Sequence, residues 1–313
     1  YVILNLQDLR EERLHMKVLS FGSLNFDHVY QMDHFVMPKE TTSSLSYSRG
    51  FGGKGLNQSI ALAKSGLDVY HAGRVGFDGQ PFIDYLQEYG VKVDYLEKDE
   101  ETATGHAIIQ VSHSENCIIL YGGSNQLIDE AQIDEVLTHF EKGDLLLIQN
   151  EISSLTYLIT KAHENGLRIA FNTAPMDEKI FSYPLELVDI FVVNEVEGKG
   201  LANVSSDQVE DVIVGLQKAY PNKEIILTVG SQGSYYISGE TVIHQEAYRV
   251  NAVDTTAAGD TFTGFYLASI LRGETVSNAL SIAAKASSIT VTKEGAAKSI
   301  PTLEQVLESM KNA

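Results

Sequence analysis

The stretch Asp254-Thr255-Thr256-Ala257-Ala258-Gly259-Asp260 lies between a strand-like run at 249–253 and an apolar segment that we predict to be a helix. A strand that turns directly into such a helix is the building unit of an α/β fold. Small residues at 257–259 would let a phosphate approach the free N–H groups of the first helical turn, where the helix dipole favours negative charge. Asp260 would then lie beside the phosphate and could take the proton from an attacking hydroxyl. The alternative is that Asp254 or Asp260 only caps the helix.

A second glycine turn, Gly50-Phe51-Gly52-Gly53-Lys54-Gly55-Leu56-Asn57-Gln58, also leads into a predicted helix, whose C-terminal cap we expect at Gly66. It is not a Walker A loop, because no hydroxyl side chain follows Lys54 to hold a metal. Backbone amides together with Lys54 and Asn57 suit the recognition of hydroxyl or phosphate groups. The alternative is an ordinary glycine turn with a solvated lysine.

Strand-like and helical segments alternate along the rest of the chain, which predicts an α/β fold with a mostly parallel sheet. The predicted strands are 18–22, 68–74, 144–149, 167–172, 188–193, 223–229, 233–238, 241–246 and 249–253. The predicted helices are 79–90, 130–141, 153–165, 205–220, 258–272 and 276–291, with a short one at the C-terminus. Two segments, 28–48 and 104–121, break the alternation. We expect them to form a small second sheet, a lid, on a single domain that spans 16–313.

Acidic residues dominate the charge of the chain. Among 313 residues, 42 are Asp or Glu and 23 are Lys or Arg, which gives a formal charge of -19. Such a charge repels nucleic acids and anionic membrane surfaces. Cys117 is the only cysteine, which excludes an internal disulfide and suits a reducing compartment. We therefore expect a cytoplasmic protein that binds neither nucleic acid nor membrane.

The residues before Met16 differ in character from those after it. The apolar start at 1–4 is followed too soon by charged residues to resemble a secretory signal. Met16 directly precedes the first predicted strand. We interpret 1–15 as a leader or added segment and leave it out of the fold prediction.

Several motifs occur in one order along the chain. The longer ones are Asn25-Phe26-Asp27 after the first strand, the glycine run at 52–58 and the acidic run at 254–260. The shorter ones are Gln149-Asn150-Glu151, Asn172-Thr173-Ala174-Pro175, Asn194-Glu195-Val196-Glu197 and Thr228-Val229-Gly230-Ser231-Gln232-Gly233. This set resembles the ribokinase-like (PfkB) family of carbohydrate kinases from Met16 almost to the C-terminus. The resemblance implies a three-layer α/β/α fold with a lid. It also implies ATP-dependent phosphorylation of a small sugar, D-ribose to ribose 5-phosphate.

The resemblance also implies a role for individual residues by position. Asp260 is implied as the general base, and the sugar site comprises Asp260, Asn25, Asp27, Gly53, Lys54, Asn57 and Glu151. The implied ATP site comprises Asn194, Thr228, Gly230, Ser231, Gly233, Ala258, Gly259 and Ala284, with magnesium held through water by Glu197. The implied site for an activating potassium ion comprises Asp254, Thr256, Thr290, Lys293, Gly295 and Ser299, mostly through backbone carbonyls. Taken singly, some of these residues have ordinary explanations. Asn25 and Asp27 could be turn formers, Glu151 could be a helix-start residue, and Glu197 could be a solvated helix residue.

Three residues depart from the family pattern. Phe26 stands where many relatives have a small residue, and we expect it to affect the fit of the sugar or of the lid. Pro81 stands where glycine is usual, so the local turn is expected to differ. Ala284 replaces a residue that is often polar near the adenine, which would loosen recognition of the base.

Four functions compete on the sequence alone. The first is a pentose kinase, and the second is a kinase of another small polyol or nucleoside such as deoxyribose, fructose or pseudouridine. The third is a non-catalytic regulator that binds a sugar or nucleotide. The presence of both Gly259 and Asp260 argues against it, because loss of catalysis usually leaves damage in the base or the anion site. The fourth, a dehydrogenase, fails because no Gly-x-Gly-x-x-Gly follows the first strand. The lid strands have edges that need covering, which suggests a homodimer formed through the lid.

Overall fold

The computed structural model describes residues 16–113 and 115–311, so the leader predicted at 1–15 lies outside the described residues. Its strands are β1 (Val18–Phe21), β2 (Asn25–Gln31), β3 (Ser46–Gly52), β4 (Val69–Val75), β5 (Lys92–Lys98), β6 (Gly105–Ser112), β7 (Glu115–Tyr121), β8 (Leu145–Gln149), β9 (Arg168–Asn172), β10 (Ile190–Asn194), β11 (Glu224–Thr228), β12 (Ser234–Ser238) and β13 (Thr241–Gln245). Nine of them form a central sheet in the order β13-β12-β11-β10-β9-β8-β1-β4-β5. The strands from β11 to β5 run parallel, and β12 and β13 add an antiparallel edge.

Helices cover both faces of this sheet. They are α1 (Lys54–Lys64), α2 (Gln80–Glu88), α3 (Glu130–Leu137), α4 (Leu155–Glu164), α5 (Glu195–Ala202), α6 (Val209–Ala219), α7 (Ala258–Leu271), α8 (Val276–Thr290) and α9 (Leu303–Lys311). Within the described part of the chain, no helix is long and apolar enough to cross a membrane.

Alternate residues of the central strands face two separate cores, as the two-residue period of a strand requires. In β8, Leu145 and Leu147 pack in the core that contains α1, α2, α7, α8 and α9. Leu146 and Ile148 of the same strand pack in the core that contains α3, α4, α5 and α6. The helices therefore form one layer on each side of the sheet, and the expected three-layer α/β/α arrangement is confirmed.

A second sheet of four strands has the order β3-β2-β6-β7, and we call it the lid sheet. Strand β2 pairs antiparallel with β3 and parallel with β6, and β6 and β7 form the expected hairpin. The strand bounds extend the predicted lid, because β2 begins at Asn25 and β3 ends at Gly52. Residues predicted to hold the sugar thus lie on the lid sheet itself.

The structure differs from the sequence predictions at three places. Residues 249–253 are not a strand, because the amides of Val253 and Asp254 donate to the Val291 carbonyl at the end of α8 and not to a sheet neighbour. Strand β5 was not predicted, since its sequence is rich in charge and only half-buried at the sheet edge. Helix α5 was not predicted either, because it is short and contains two glycines.

Candidate active site

The site begins where the strand order reverses. From β1 the chain builds β4 and β5 on one side of the sheet and later returns to place β8 on the other. Open α/β sheets bind ligands at such a reversal, outside the carboxyl ends of the strands. Ser23 follows β1 and Glu151 follows β8, and the Ser23 hydroxyl donates a hydrogen bond to Glu151 Oε2. The same Glu151 oxygen accepts the Lys54 amide at 3.1 Å, so a side chain from the loop after β8 caps the first turn of α1.

Asp260 lies in the first turn of α7 and faces the first turn of α1. Its Oδ2 accepts a hydrogen bond from Asn57 Nδ2 at 3.0 Å, and its Oδ1 accepts one from Gln58 Nε2 at 2.9 Å. The side chains of Asp260 and Asn57 are almost fully buried, with residue exposures of 7% and 6%. Asn57 Oδ1 is buried and has no hydrogen-bond partner among the described residues. The two predicted turns thus meet across one cleft, and one buried acceptor there has no partner among the described residues.

Lys54 supplies the positive charge between the acidic residues of the cleft. Burial by itself would lower the pKa of Lys54, but the carboxylates of Asp260, Glu151 and Glu197 outweigh it and raise the pKa above its ordinary value. Burial also raises the pKa of Glu151 and of Glu197, although Lys54 opposes the shift in both. One cation therefore faces residues from the predicted sugar site and from the predicted magnesium site.

Asn25 and Asp27 point to the same face of β2, as residues two apart in a strand do. Asn25 Oδ1 accepts a hydrogen bond from Asn125 Nδ2 at 2.8 Å, which fixes the amide of this predicted sugar ligand. Asp27 approaches the backbone of β3 closely, because a Cβ added at Gly52 would lie 2.1 Å from Asp27 Oδ2. Burial, helped by the nearby Glu151, raises the pKa of Asp27 to about 7.

Phe26 points to the opposite face of β2 from Asp27. Its ring lies 4.5 Å from that of Phe82 and 6.0 Å from that of Phe51, between centroids, and the Arg49 guanidinium lies 3.6 Å above it. This departure from the family pattern therefore affects how the lid sheet packs on α2, on the face of β2 opposite to Asp27. Pro81 lies in the first turn of α2, where its missing N–H costs nothing.

The predicted nucleotide loop follows the neighbouring strands β10 and β11, whose last residues, Asn194 and Thr228, are register partners. Asn194 and Glu197 form a capping box, in which Glu197 N donates to Asn194 Oδ1 at 3.0 Å and Asn194 N donates to Glu197 Oε2 at 2.9 Å. Gly233 has a φ of 102°, and a Cβ there would lie 2.0 Å from the Gln245 carbonyl oxygen. Gly230 also has a positive φ, 48°. The exposed Ser231 lies between these two glycines.

The first turn of α7 presents backbone donors to the cleft. Ala257 has a left-handed φ of 60° at the N-cap, and the Ala258 amide donates to the Thr255 carbonyl at 3.2 Å. Ala258 is therefore not a free donor. The amides of Gly259 and Asp260 have no hydrogen-bond partner within 16–113 and 115–311. A Cβ at Gly259 would meet open space, so the approach to these two amides is clear.

Helix α8 borders this turn. The Ser287 hydroxyl donates to the Ala258 carbonyl at 3.0 Å, which ties α8 to the start of α7. Ala284 lies one turn earlier on α8 and is 8% exposed in the apolar core. The predicted adenine-side residue thus lies on the helix that contacts the start of α7.

The predicted cation loop is partly assembled by Asp254. Its Oδ1 accepts the Thr256 amide at 2.8 Å and its Oδ2 accepts the Gly295 amide at 3.0 Å. Burial would raise the pKa of Asp254, but these bonds outweigh it and lower the pKa. The Thr290 carbonyl accepts the Lys293 amide at 3.2 Å. The Ser299 hydroxyl donates to the Ala296 carbonyl at 2.7 Å, within the turn 296–299.

The donor sets of the two predicted ion sites differ. No group of three or more His, Cys, Asp or Glu side chains is placed to hold a metal anywhere in the described ranges. Magnesium commonly keeps several waters and takes one or two carboxylates with substrate phosphates, so the single buried carboxylate of Glu197 fits it. The oxygen atoms around Asp254 are hard ligands, and both Asp254 carboxylate oxygens also accept backbone N–H groups.

Sequence reasoning gave no role to four residues that the structure places at this site. Gln58 and Gln149 were quoted only as parts of motifs, and Ser23 and Asn125 were not singled out. A signal existed for both glutamines, since Gln58 directly follows the predicted sugar ligand Asn57 and Gln149 lies two residues before Glu151. The contact each makes depends on residues far away in the chain, which no local pattern indicates.

Comparisons with known proteins identify the family of the chain. The family model described as pfkB family carbohydrate kinase matches residues 16–303. The ribokinase of Haemophilus influenzae is 30% identical over 299 residues, which cover 93% of this chain and 97% of that protein. The deoxyribokinase of Salmonella typhimurium is 30% identical over 301 residues, which cover 94% of this chain and 98% of that protein. The structure of Arabidopsis thaliana ribokinase complexed with ribose and ATP superposes with a TM-score of 0.85 at 28% identity, covering 95% of this chain and 98% of that chain. The chain therefore belongs to the pfkB family and is a carbohydrate kinase.

Proposed function

We propose that this protein transfers the γ-phosphoryl group of ATP to a hydroxyl of D-ribose and forms ribose 5-phosphate. The observation that carries the proposal is the position of the Asp260 carboxylate. It is bonded to Asn57 on the sugar side, and the free amides of Gly259 and Asp260 lie in the same helical turn. The H. influenzae and A. thaliana proteins, both ribokinases, match almost the whole chain and favour ribose as the sugar.

Asp260 acts as the general base in this proposal. Its Oδ2 takes the proton of the sugar hydroxyl, and the hydroxyl oxygen attacks the γ-phosphorus as the bond to the ADP oxygen breaks. The charge on the transferring group is stabilised by the amides of Gly259 and Asp260 and by the ammonium of Lys54. A buried cleft closed by the lid sheet keeps water from taking the place of the sugar.

The sugar is held from both sides of the cleft in this proposal. Asn25 and Asp27 act from the lid sheet, and Gly53, Lys54, Asn57 and Glu151 act from the central domain. Asn57 Oδ1, which has no partner among the described residues, accepts one sugar hydroxyl. Short side chains in fixed orientations suit a polyol, because a missing hydrogen-bond partner in a buried site is costly.

ATP lies along the ends of β10 and β11 and the start of α7. We assign its contacts to Asn194, Thr228, Gly230, Ser231, Gly233, Ala258, Gly259 and Ala284. Ala258 contributes through packing, because its amide and its carbonyl are both already hydrogen-bonded. Glu197 holds magnesium through water, and the ion supplies charge neutralisation for the phosphates.

A potassium ion is proposed to bind in the loop that Asp254 and Gly295 hold together, with Thr256, Thr290, Lys293 and Ser299. Potassium there would fix the turn that carries the free amides of α7. Its effect on turnover is therefore an activation and not a step of the chemistry.

A homodimer through the lid sheet is also proposed, in the cytoplasm. Strand β7 is exposed along its whole length, and its apolar residues Ile118, Ile119 and Leu120 are 48%, 59% and 53% exposed. Exposed apolar edge strands need covering, and a second copy of the same edge would cover this one. Sedimentation velocity of the purified chain tests this, and a monomer at all concentrations rejects it.

Deoxyribose is the competing substrate, because the S. typhimurium deoxyribokinase matches this chain with the same identity as the H. influenzae ribokinase. The two sugars differ by one hydroxyl, so the decision rests on whether a buried polar group of the site is left unpaired. A coupled ADP-release assay with ribose, deoxyribose, fructose and pseudouridine decides it. We expect ribose to have the highest kcat/KM by at least about tenfold. A higher value for deoxyribose would change the substrate, and no ADP release with any of the four would reject the proposed function.

A further inference from the structure

A chain of buried side-chain amides runs from β8 to the base. Gln149 Nε2 donates to Gln58 Oε1 at 2.8 Å, and Gln58 Nε2 donates to Asp260 Oδ1 at 2.9 Å. Gln58 and Gln149 are both 0% exposed, and no motif-based assignment above gives either of them a function. The backbone makes room for this chain, since a Cβ at Gly22 would lie 2.3 Å from Gln149 Oε1.

The carboxylate of Asp260 needs an external support to keep its orientation. Rotation of an Asp carboxylate about its last torsion is soft, with a broad distribution of angles. Two amides oppose that rotation here, Asn57 on Oδ2 and Gln58 on Oδ1. Asn57 lies on the proposed sugar side, and Oδ2 must be released to accept the hydroxyl proton. Gln58 is then the support that stays in place during the reaction.

The direction of the Gln58 amide is fixed in turn by Gln149. Because Gln58 Oε1 accepts from Gln149, its NH₂ group must face Asp260. Without that donor, the Gln58 amide could turn its oxygen toward the carboxylate, and the two oxygens would repel each other. Both polar atoms of Gln58 are thus in use, and its burial keeps it out of contact with a ligand.

We propose that Gln58 is a positioning residue, which holds Oδ1 of the base while Oδ2 takes the proton, and that Gln149 sets the orientation of Gln58. This inference rests on the proposed function, in which Asp260 is the base. It predicts an effect on turnover without an effect on sugar binding, because Gln58 acts only through the carboxylate.

The test is the substitution Gln58→Met, which keeps the length of the side chain and removes both polar atoms. With ribose and ATP, we expect kcat to fall by on the order of 10 to 10², as a displaced catalytic group does. The KM for ribose should change by less than about twofold, because the lost support matters only for the chemical step. A rise in KM with kcat unchanged would overturn the inference.

Two further variants separate positioning from packing. In the Asp260→Asn background, Gln58→Met should change residual turnover by less than about twofold, since there is no base left to position. An undiminished loss in that background would mean that Gln58 does not act through Asp260.

The matched control is Gln132→Met, which removes a glutamine that is 2% exposed and donates to the Gly73 carbonyl at 2.7 Å. It should keep the wild-type kcat.

Gln149→Met carries the test if Gln58→Met does not fold. It leaves Gln58 in place and removes only the donor that fixes it, so kcat should fall by a smaller factor, about three to ten, with KM for ribose unchanged. An unchanged kcat in a folded Gln149→Met protein would overturn the inference. Full turnover in Asp260→Asn would instead reject Asp260 as the base, whereas no ADP release by the wild type with any of the four substrates would reject the proposed function.

Discussion

Replacement of Asp260 by Asn removes one charge from the cleft and changes one atom of the side chain. The base is lost, because an amide cannot take the proton of the sugar hydroxyl. Loss of general-base catalysis lowers turnover by on the order of 10² to 10⁴. At about 1.4 kcal/mol for each tenfold change, this is roughly 3 to 6 kcal/mol in the barrier.

The same replacement should leave the fold intact, and the hydrogen bonds of the cleft show why. Gln58 Nε2 can still donate to the Oδ1 of the new side chain. The new NH₂ group would face the Asn57 NH₂, but Asn57 Oδ1 has no partner among the described residues, so its amide can rotate and accept. The change also removes one of the three carboxylates that surround Lys54, which lowers their mutual repulsion. We therefore expect the unfolding temperature to stay within about 3 °C of wild type.

Asp260→Leu is the contrasting variant. It leaves Gln58 Nε2 buried without an acceptor, which costs about 1 to 3 kcal/mol. Both variants should have strongly reduced turnover, but only the leucine variant should be clearly less stable. That pairing separates a chemical role of Asp260 from a structural one.

Turnover is measured by ADP release at saturating ATP, sugar binding by isothermal titration calorimetry, and stability by differential scanning calorimetry. Calorimetry is preferred because the chain contains no tryptophan for intrinsic fluorescence. If Asp260→Asn turns over within about threefold of wild type, Asp260 is not the base. If it loses turnover together with sugar binding and several degrees of stability, the argument from the hydrogen-bond network is wrong.

Three further predictions concern the lid sheet and the cation loop. Since the pKa of Asp27 is raised to about 7, its charged form is lost below that pH. The KM for the sugar should therefore rise by up to about tenfold for each pH unit below 7. In Asp27→Asn the KM should be nearly independent of pH. The folded protein also holds that proton between about pH 4 and 7, when the unfolded chain has lost it; stability should therefore fall as pH rises through this window, less steeply in Asp27→Asn. Gly52→Ala would place a Cβ 2.1 Å from Asp27 Oδ2 and should raise the sugar KM by at least about tenfold. The control is Gly50→Ala, where a Cβ meets nothing within 4 Å, and its KM should match wild type. Equal KM values for the two variants would contradict the proposed role of Asp27. Potassium should give a higher kcat than sodium in the wild type. It should not do so in Asp254→Ala, which loses the acceptor of the Gly295 amide. A wild-type kcat that does not depend on potassium would contradict the proposed cation site.

The sequence alone was enough to predict the central architecture. Period-two and period-3.6 patterns are local, so the strands from 144–149 to 241–246 and the helices from 130–141 to 276–291 were predicted within a few residues at most ends. The glycine turn before Asn57 and the small-residue turn before Asp260 were also visible, because phosphate and hydroxyl recognition requires short side chains at adjacent positions. Edge strand β5 was not predicted, because a half-buried strand with charged residues has no clear hydrophobic alternation.

Tertiary structure decided which of these residues meet. Gln58 and Asp260 are 202 residues apart, and only the packing of α1 against α7 brings their side chains to 2.9 Å. Ser23 and Glu151 are joined because β1 and β8 became neighbours in the sheet, which strand order and not strand sequence determines. The side of β2 on which Phe26 lies, and the raised pKa of Asp27, likewise follow from what the lid sheet packs against. A linear pattern specifies the local conformation of each segment and the chemistry it carries, whereas burial, charge proximity and long-range hydrogen bonds depend on neighbours that the chain supplies only after it has folded.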